Sequence, residues 1–154
     1  MATDRRRHAS GPAVPNRVRR LPAPGAVRSR VPGYTWWVAL LAGAWLAGDR
    51  GALLMQSSGS GNCINMLGMI VECRFPLLML ITMRGQWGEF NPWQLPMAQA
   101  TLPALNAIGA VVQSVDEAGK VEETVSAAAK LAFNTCRPVA VLISQRIGGA
   151  KEFK

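Results

Sequence analysis

Four short, uncharged apolar runs constrain this chain more than any other feature of it. They are Ala-Leu-Leu-Met-Gln at 52–56, Leu-Leu-Met-Leu-Ile-Thr at 77–82, Val-Val-Gln-Ser-Val at 111–115 and Val-Ala-Val-Leu-Ile at 139–143. Each has the length of a strand, and a near-continuous apolar run suits a strand covered on both faces. The segments between them carry helical patterning. Residues 63–73 are apolar nearly all round. Residues 117–133 place Val121, Thr124, Val125, Ala128 and Ala132 on one face, with acidic residues in the first turns where the helix dipole favours them. Thr101 is expected to cap a short helix with Pro103 in its first turn and Gly109 just past its end. Strands alternating with helices predict an α/β fold: a parallel sheet with helices on both faces.

The first run leads into Gln56, a small polar turn Ser57-Ser58-Gly59-Ser60-Gly61, and then Asn62, a good N-cap for the helix that follows. The two glycines allow either positive φ or close approach of the backbone to another group. In an open parallel sheet, ligands bind where a strand passes through such a turn into a helix. An ordinary βα connection has the same order, since a lone G-x-G is a weak signal. The second run ends at Met83-Arg84-Gly85, and a polar loop over 86–94 follows.

With 154 residues, 49% hydrophobic and 17% charged, the chain can bury one real core. The net charge of +8 is distributed unevenly. Residues 1–33 hold eight arginines and one aspartate, whereas the remainder holds nine basic and eight acidic groups. The body is therefore close to neutral and offers no nucleic-acid surface. Residues 1–34 are expected to form a disordered Arg/Pro-rich tail, and 35–154 the folded domain. The tail fits a transit peptide, a twin-arginine export signal or a nucleic-acid-binding arm, but the favoured expectation is that it has no function. Residues 36–47 are apolar, but as a helix they span only about 18 Å against the ~30 Å hydrocarbon core. A buried core helix is expected there, not a membrane span. Cys63, Cys73 and Cys136 form no C-x-x-C pair, and the sole histidine, His8, lies in the tail. Reduced thiols in a cytoplasmic protein, with no metal site, are the expectation.

From about residue 40 onward the sequence resembles the pyrimidine-binding (alpha) subunits of thiamine-diphosphate-dependent decarboxylases of the sulfopyruvate and phosphonopyruvate type. The resemblance rests on AGAWLAG at 42–48, LLMQSSGSGNCIN at 53–65, FPLLMLITMRG at 75–85 and GEFNPWQLPMAQAT at 88–101. It implies a cofactor, thiamine diphosphate, bound between this domain and a diphosphate-binding beta subunit that holds Mg²⁺. It also implies a small 2-oxo acid substrate that loses CO₂. By motif, Gln56, Ser57, Ser58, Gly59, Gly61 and Asn62 would face the cofactor, with Asn65 completing a G-x-G-x-x-N pattern. Arg84, Gly88, Glu89 and Gln94 would lie in a second loop at the same sheet edge.

Three departures from the family stand out. Gln86 replaces a glutamate usual after the Arg-Gly, and Ala98 replaces a usual glycine. More seriously, the family's acidic motif, whose glutamate contacts the pyrimidine ring, should cover residues 33–36. Here those positions read Gly33-Tyr34-Thr35-Trp36, so the glutamate position is about Tyr34 and no catalytic carboxylate is present. The strand–helix–strand that precedes this motif in relatives is replaced by the arginine tail. The expectations are therefore a sheet without its N-terminal strands, a chain prone to associate, and weak catalysis or none. A truncated, non-catalytic fragment that keeps the scaffold or a subunit-pairing role is the alternative.

Overall fold

The computed structural model describes residues 33–149; of the expected tail over 1–34, residues 1–32 lie outside the described residues, and Tyr34 is already helical. Helix α1 (Tyr34–Leu46) leads into strand β1 (Ala52–Gln56), a helical turn α2 (Ser57–Gly61) and α3 (Ile64–Glu72). Strand β2 (Leu77–Thr82) follows, then α4 (Leu95–Ala107), β3 (Val111–Val115), α5 (Val121–Thr135), β4 (Pro138–Ile143) and the short α6 (Gln145–Gly148). All four apolar runs become strands. They pair in the order β1-β2-β4-β3, and every pair is parallel. All four carboxyl ends therefore lie along one edge of the sheet.

Strand alternation divides the core into two layers. Leu77, Met79 and Ile81 face Val38 and Ala42 of α1, Leu67 and Ile70 of α3, and Leu105 of α4. Leu78, Val139 and Val141 face Ala128 and Ala132 of α5, whose small side chains bring that helix close to the sheet. The expected amphipathic face of α5 is the face that packs. Its first turn is a 3₁₀ segment, Ala118–Lys120, so the α-helix starts at Val121, not at Glu117.

Several local expectations are corrected. Residues 57–61 form a helical turn, and Asn62 continues it in αR conformation, so Asn62 does not cap α3. Its N–H donates to Gly59 O and its carbonyl accepts the Thr35 hydroxyl at 2.8 Å. Helix α3 starts after Cys63 with no side-chain cap. Thr101 sits inside α4, not at its start. The helix enters through a 3₁₀ turn, Pro92–Gln94, which the Asn91 side chain caps by accepting from Trp93 N, and it continues through Pro103. The Thr101 hydroxyl is buried and donates to Met97 O at 2.6 Å.

Helix coverage is incomplete at β1. Ala52 and Leu54 alternate outward with buried Leu53 and Met55, and Leu54 is 68% exposed because α5 lies over β2, β3 and β4. Helix α1 is likewise only half-buried, with Trp36, Leu40 and Leu46 exposed. Among the described residues no helix is long and apolar enough to cross a membrane.

The core layers give a direct contrast. Leu67→Ala is expected to lower unfolding stability by about 2–5 kcal/mol, since Leu67 is fully buried. Leu46→Ala, at an exposed position, should change it by less than ~0.5 kcal/mol. Urea denaturation of both variants measures this, and equal effects would contradict the two-layer core.

Candidate functional site

The carboxyl edge gathers the polar ends of β1, β2 and β4. Strand β1 ends at Gln56, in register with Thr82 of β2. Ser57 is buried and binds inward: its hydroxyl accepts from Arg84 N at 3.2 Å and its carbonyl accepts from the Ser60 hydroxyl at 2.7 Å. Ser60 and Thr101 are 3.2 Å apart through their hydroxyls, so α4 is tied to the turn after β1. Neither glycine of the turn uses a positive φ. Their value is close approach. A Cβ at Gly59 would collide with the Tyr34 ring, and one at Gly61 would lie 3.0 Å from Met97 Sδ. Ser58 is half-buried, whereas Asn62 and Asn65 are exposed.

Glu89 is the centre of the second loop. Its side chain is only 3% exposed, and it holds Arg84 in a two-pronged pair, Nε to Oε2 and Nη2 to Oε1, each 2.7 Å. Oε2 also accepts from Gly85 N and from Gln145 Nε2, and Oε1 accepts from Asn91 N, each at 3.1 Å. The Arg84 hydrogen bond, aided by the Asn91 and Gly85 N–H groups and opposed by burial, brings the Glu89 pKa down to about 2. The same bond raises the Arg84 pKa. Glu89 is thus an ionised structural anchor with its acceptor sites occupied.

Gln145, buried at the end of β4, completes this arrangement. Its Oε1 accepts from Gln86 N at 3.0 Å and Trp87 N at 3.2 Å, and its own N–H donates to Gln86 Oε1 at 3.3 Å. Gln145 lies beyond Ile143, outside every expected strand and motif. The available signal was position, because a polar residue follows strand 4 just as Gln56 and Arg84 close strands 1 and 2. The Gln86 side-chain carbonyl accepts an N–H that a carboxylate at this position could also accept.

Gln94 stands apart from these bonds. Its Oε1 is buried and carries no hydrogen bond. Its backbone carbonyl lies close to Gly85, where a Cβ would come within 2.8 Å of it, so Gln94 belongs to the same edge. Three hollows open there, the smallest of about 270 Å³ lined by Gln86, Ser114, Asp116 and Ser144 among others. One of about 310 Å³ is lined by Arg84, Ser144 and Gln145 among others. The second, about 410 Å³, is lined by Tyr34, Leu54, Gln56, Leu80 and Thr82. A further hollow of about 420 Å³, beside Arg74 and Arg137, lies at the opposite, amino edge.

The structure thus brings Gln56, Ser57, Arg84, Glu89 and Gln94 to one edge, with Tyr34 over Gly59; it shows no contact between Asn65 and this group. The Cys63 thiol is buried, which pushes its pKa up to about 11, and it donates toward Ser60 O. Among the described residues no group of three or more His, Cys, Asp or Glu is placed to hold a metal ion.

No family model matches the chain. Individual relatives do match, and they are decarboxylases, which gives the class to which the α/β unit is related. More narrowly, the chain is homologous to sulfopyruvate decarboxylase alpha subunits. It is 35% identical to the one from Methanococcus maripaludis over 107 residues, 69% of this chain and 64% of the relative. It is 33% identical to that from Methanothermobacter thermautotrophicus over 103 residues, 66% of this chain and 62% of the relative. A shorter match, 42% over 52 residues, joins it to the phosphonopyruvate decarboxylase of Streptomyces viridochromogenes, covering 33% of this chain and 13% of the relative. The chain therefore spans a little under two thirds of the alpha subunits it matches.

The buried carboxylate makes a pH prediction. Because the Glu89 pKa is lowered from 4.5 to about 2, its contribution to stability is complete above pH 4.5 and fades as the pH falls through 2. Urea denaturation of the protein and of Glu89→Gln between pH 2 and 7 measures this. The variant should be less stable at neutral pH, with the gap closing on acidification; a gap independent of pH would contradict the assignment.

Proposed function

We propose that this chain is a thiamine-diphosphate-binding subunit of a 2-oxo acid decarboxylase of the sulfopyruvate or phosphonopyruvate type. It would pair in the cytoplasm with a second subunit that holds the diphosphate and Mg²⁺. The observation that carries this reading is the buried, unbonded Gln94 Oε1 at the carboxyl edge, in a chain homologous to sulfopyruvate decarboxylase alpha subunits. An acceptor of that kind fits an amino N–H, the group an aminopyrimidine ring presents. When bound, the cofactor supplies a carbon nucleophile for the 2-oxo group and an electron sink for the departing CO₂.

The chain's own part is to hold and orient. Gln56, Ser58 and Asn62 offer amide and hydroxyl groups toward the ring, Ser57, Gly59 and Gly61 shape the turn, and Asn65, exposed on α3, takes no part in this reading. Arg84 is engaged by Glu89 and fixes the second loop. The exposed Arg146, 5.9 Å from the Trp87 ring, has no ion pair among the described residues and offers positive charge to the substrate's distal anionic group.

Proton transfer is the weak step. The resemblance asks for a carboxylic acid at about Tyr34, and a phenol stands there instead. Glu89 cannot substitute, because Arg84, three further donors and a pKa of about 2 keep it ionised. These two observations favour a second reading, in which the chain keeps the scaffold and the subunit pairing but not turnover.

One assay separates the two readings: CO₂ release from sulfopyruvate and phosphonopyruvate with thiamine diphosphate, Mg²⁺ and a partner subunit. Binding of thiamine diphosphate, followed by tryptophan quenching, should be measurable and weakened by Gln94→Ala. Turnover should lie about 10²–10⁴-fold below that of an intact relative, the usual cost of a lost acid–base group. Tyr34→Glu should raise it at least tenfold over the parent. Absence of cofactor binding would overturn the main reading, and full turnover by the parent would overturn the role given to the missing carboxylate.

A further inference from the structure

We propose that Gln145 is the positioning residue of the second loop: its amide ties residues 84–94 to the end of β4 and so fixes where the open Gln94 acceptor stands. The inference rests on the decarboxylase reading only for what that acceptor binds. Gln145 is 6% exposed and opens α6, just past β4.

The two ends of its amide meet opposite needs. Oε1 accepts from two backbone donors, Gln86 N at 3.0 Å and Trp87 N at 3.2 Å, while Nε2 donates to Glu89 Oε2 at 3.1 Å. Turning the amide over would set N–H against N–H and oxygen against carboxylate, so its neighbours fix its orientation. A carboxylate in its place could accept from both N–H groups but would bring no hydrogen to Glu89. An aliphatic side chain could do neither. The backbone N–H of Gln145 also donates to Gln86 Oε1 at 3.3 Å, so the loop is held from both directions.

That order passes on through Glu89. Its Oε1 accepts from Asn91 N at 3.1 Å, the Asn91 side chain accepts from Trp93 N at 3.1 Å, and the Asn91 carbonyl accepts from Gln94 N at 3.0 Å. Gln94 is thus linked to the end of β4 through Glu89 and Asn91. Arg146, next along α6, lies 5.9 Å from the Trp87 ring, so α6 holds this part of the loop by a side chain as well. The charged groups around the amide are Glu89 and Arg84 of the loop, Arg146, and Asp116, which lines a hollow together with Gln86 and Ser144.

Three full-length proteins test this: the parent, Gln145→Leu and Gln145→Glu. Amide hydrogen exchange reads the loop, and tryptophan quenching reads thiamine diphosphate affinity. In Gln145→Leu the Gln86 and Trp87 amides should exchange at least about tenfold faster than in the parent while the amides of β2 and β4 keep their rates, and the affinity should fall by a similar factor. Gln145→Glu sets a carboxyl oxygen where Nε2 stands, against Glu89, and two such groups share a site best with one proton between them. Arg84 keeps Glu89 ionised, so the added carboxyl takes that proton and donates it to Glu89 in place of the amide. Loop protection and affinity, each relative to the parent at the same pH, should therefore be poor at about pH 8 and recover toward about pH 5. A side chain that only fills space gives no such pH dependence, and Gln145→Glu carries the test where Gln145→Leu folds poorly. A parent that binds no thiamine diphosphate would defeat the decarboxylase reading and leave hydrogen exchange to decide the role of Gln145. Unchanged exchange at Gln86 and Trp87 in Gln145→Leu, a binding parent whose affinity survives that substitution, or a Gln145→Glu protein indifferent to pH would each overturn the inference.

Discussion

The carboxyl edge depends on a single buried carboxylate. Glu89 gathers Arg84, Gly85, Asn91 and Gln145, so one side chain joins the end of β2, the loop after it and the end of β4. A buried ion pair is weak evidence for net stability, because desolvating both charges offsets most of their attraction. Its effect here is on geometry. Loss of one partner would leave a buried charge uncompensated, so the loop has one arrangement rather than several. Ser57 extends that arrangement to β1 by accepting the Arg84 N–H, and Thr101 extends it to α4.

That rigidity decides what Glu89 can do. A carboxylate poised for proton transfer needs a pKa near working pH and a free lone pair. Glu89 has neither, because the same donors that order the loop lower its pKa to about 2. Gln94 is the reverse case: among the described residues its Oε1 is the one buried side-chain oxygen or nitrogen without a hydrogen-bond partner. Buried acceptors of that kind are rare in folded proteins. Two loop residues that look equivalent in the sequence therefore differ in bonding: the Glu89 carboxylate is saturated and the Gln94 Oε1 is not.

The fold was legible because strand signals and layer signals agree. The runs 52–56, 77–82 and 111–115 became strands at those limits, and the face of α5 named by its periodicity is the face that packs. The ends of helices were not legible. Asn62 and Thr101 are good capping residues by local chemistry, yet each is used otherwise: Asn62 gives its carbonyl to Thr35, and Thr101 is drawn to the buried carbonyls of Met97 and Ser57. In both, the residue lies within a helical turn rather than at a helix start, and its bonds run to that setting: a 2.6 Å bond from Thr101 to Met97 one turn back, and a distant one from Thr35 to Asn62. The site was visible as a sheet edge, but Gln145 was not, because its partners lie nearly sixty positions away.

The exposed outer face of β1 and the turn after it meet at the first residue of α1. Tyr34 is the first residue of that helix, and its ring packs against Gly59 beside Gln56, the place where the resemblance calls for a carboxylate. The same ring borders the open hollow above Leu54. Space and polarity are therefore coupled there. A tyrosine both removes the acid and fills the approach to the glycine turn, whereas a shorter acidic side chain would restore a proton donor and vacate the ring's volume. The Gly59 backbone has no positive φ to maintain, so the requirement for glycine comes from this packing alone. The polar groups of the carboxyl edge and the apolar packing beside β1 meet at one aromatic ring.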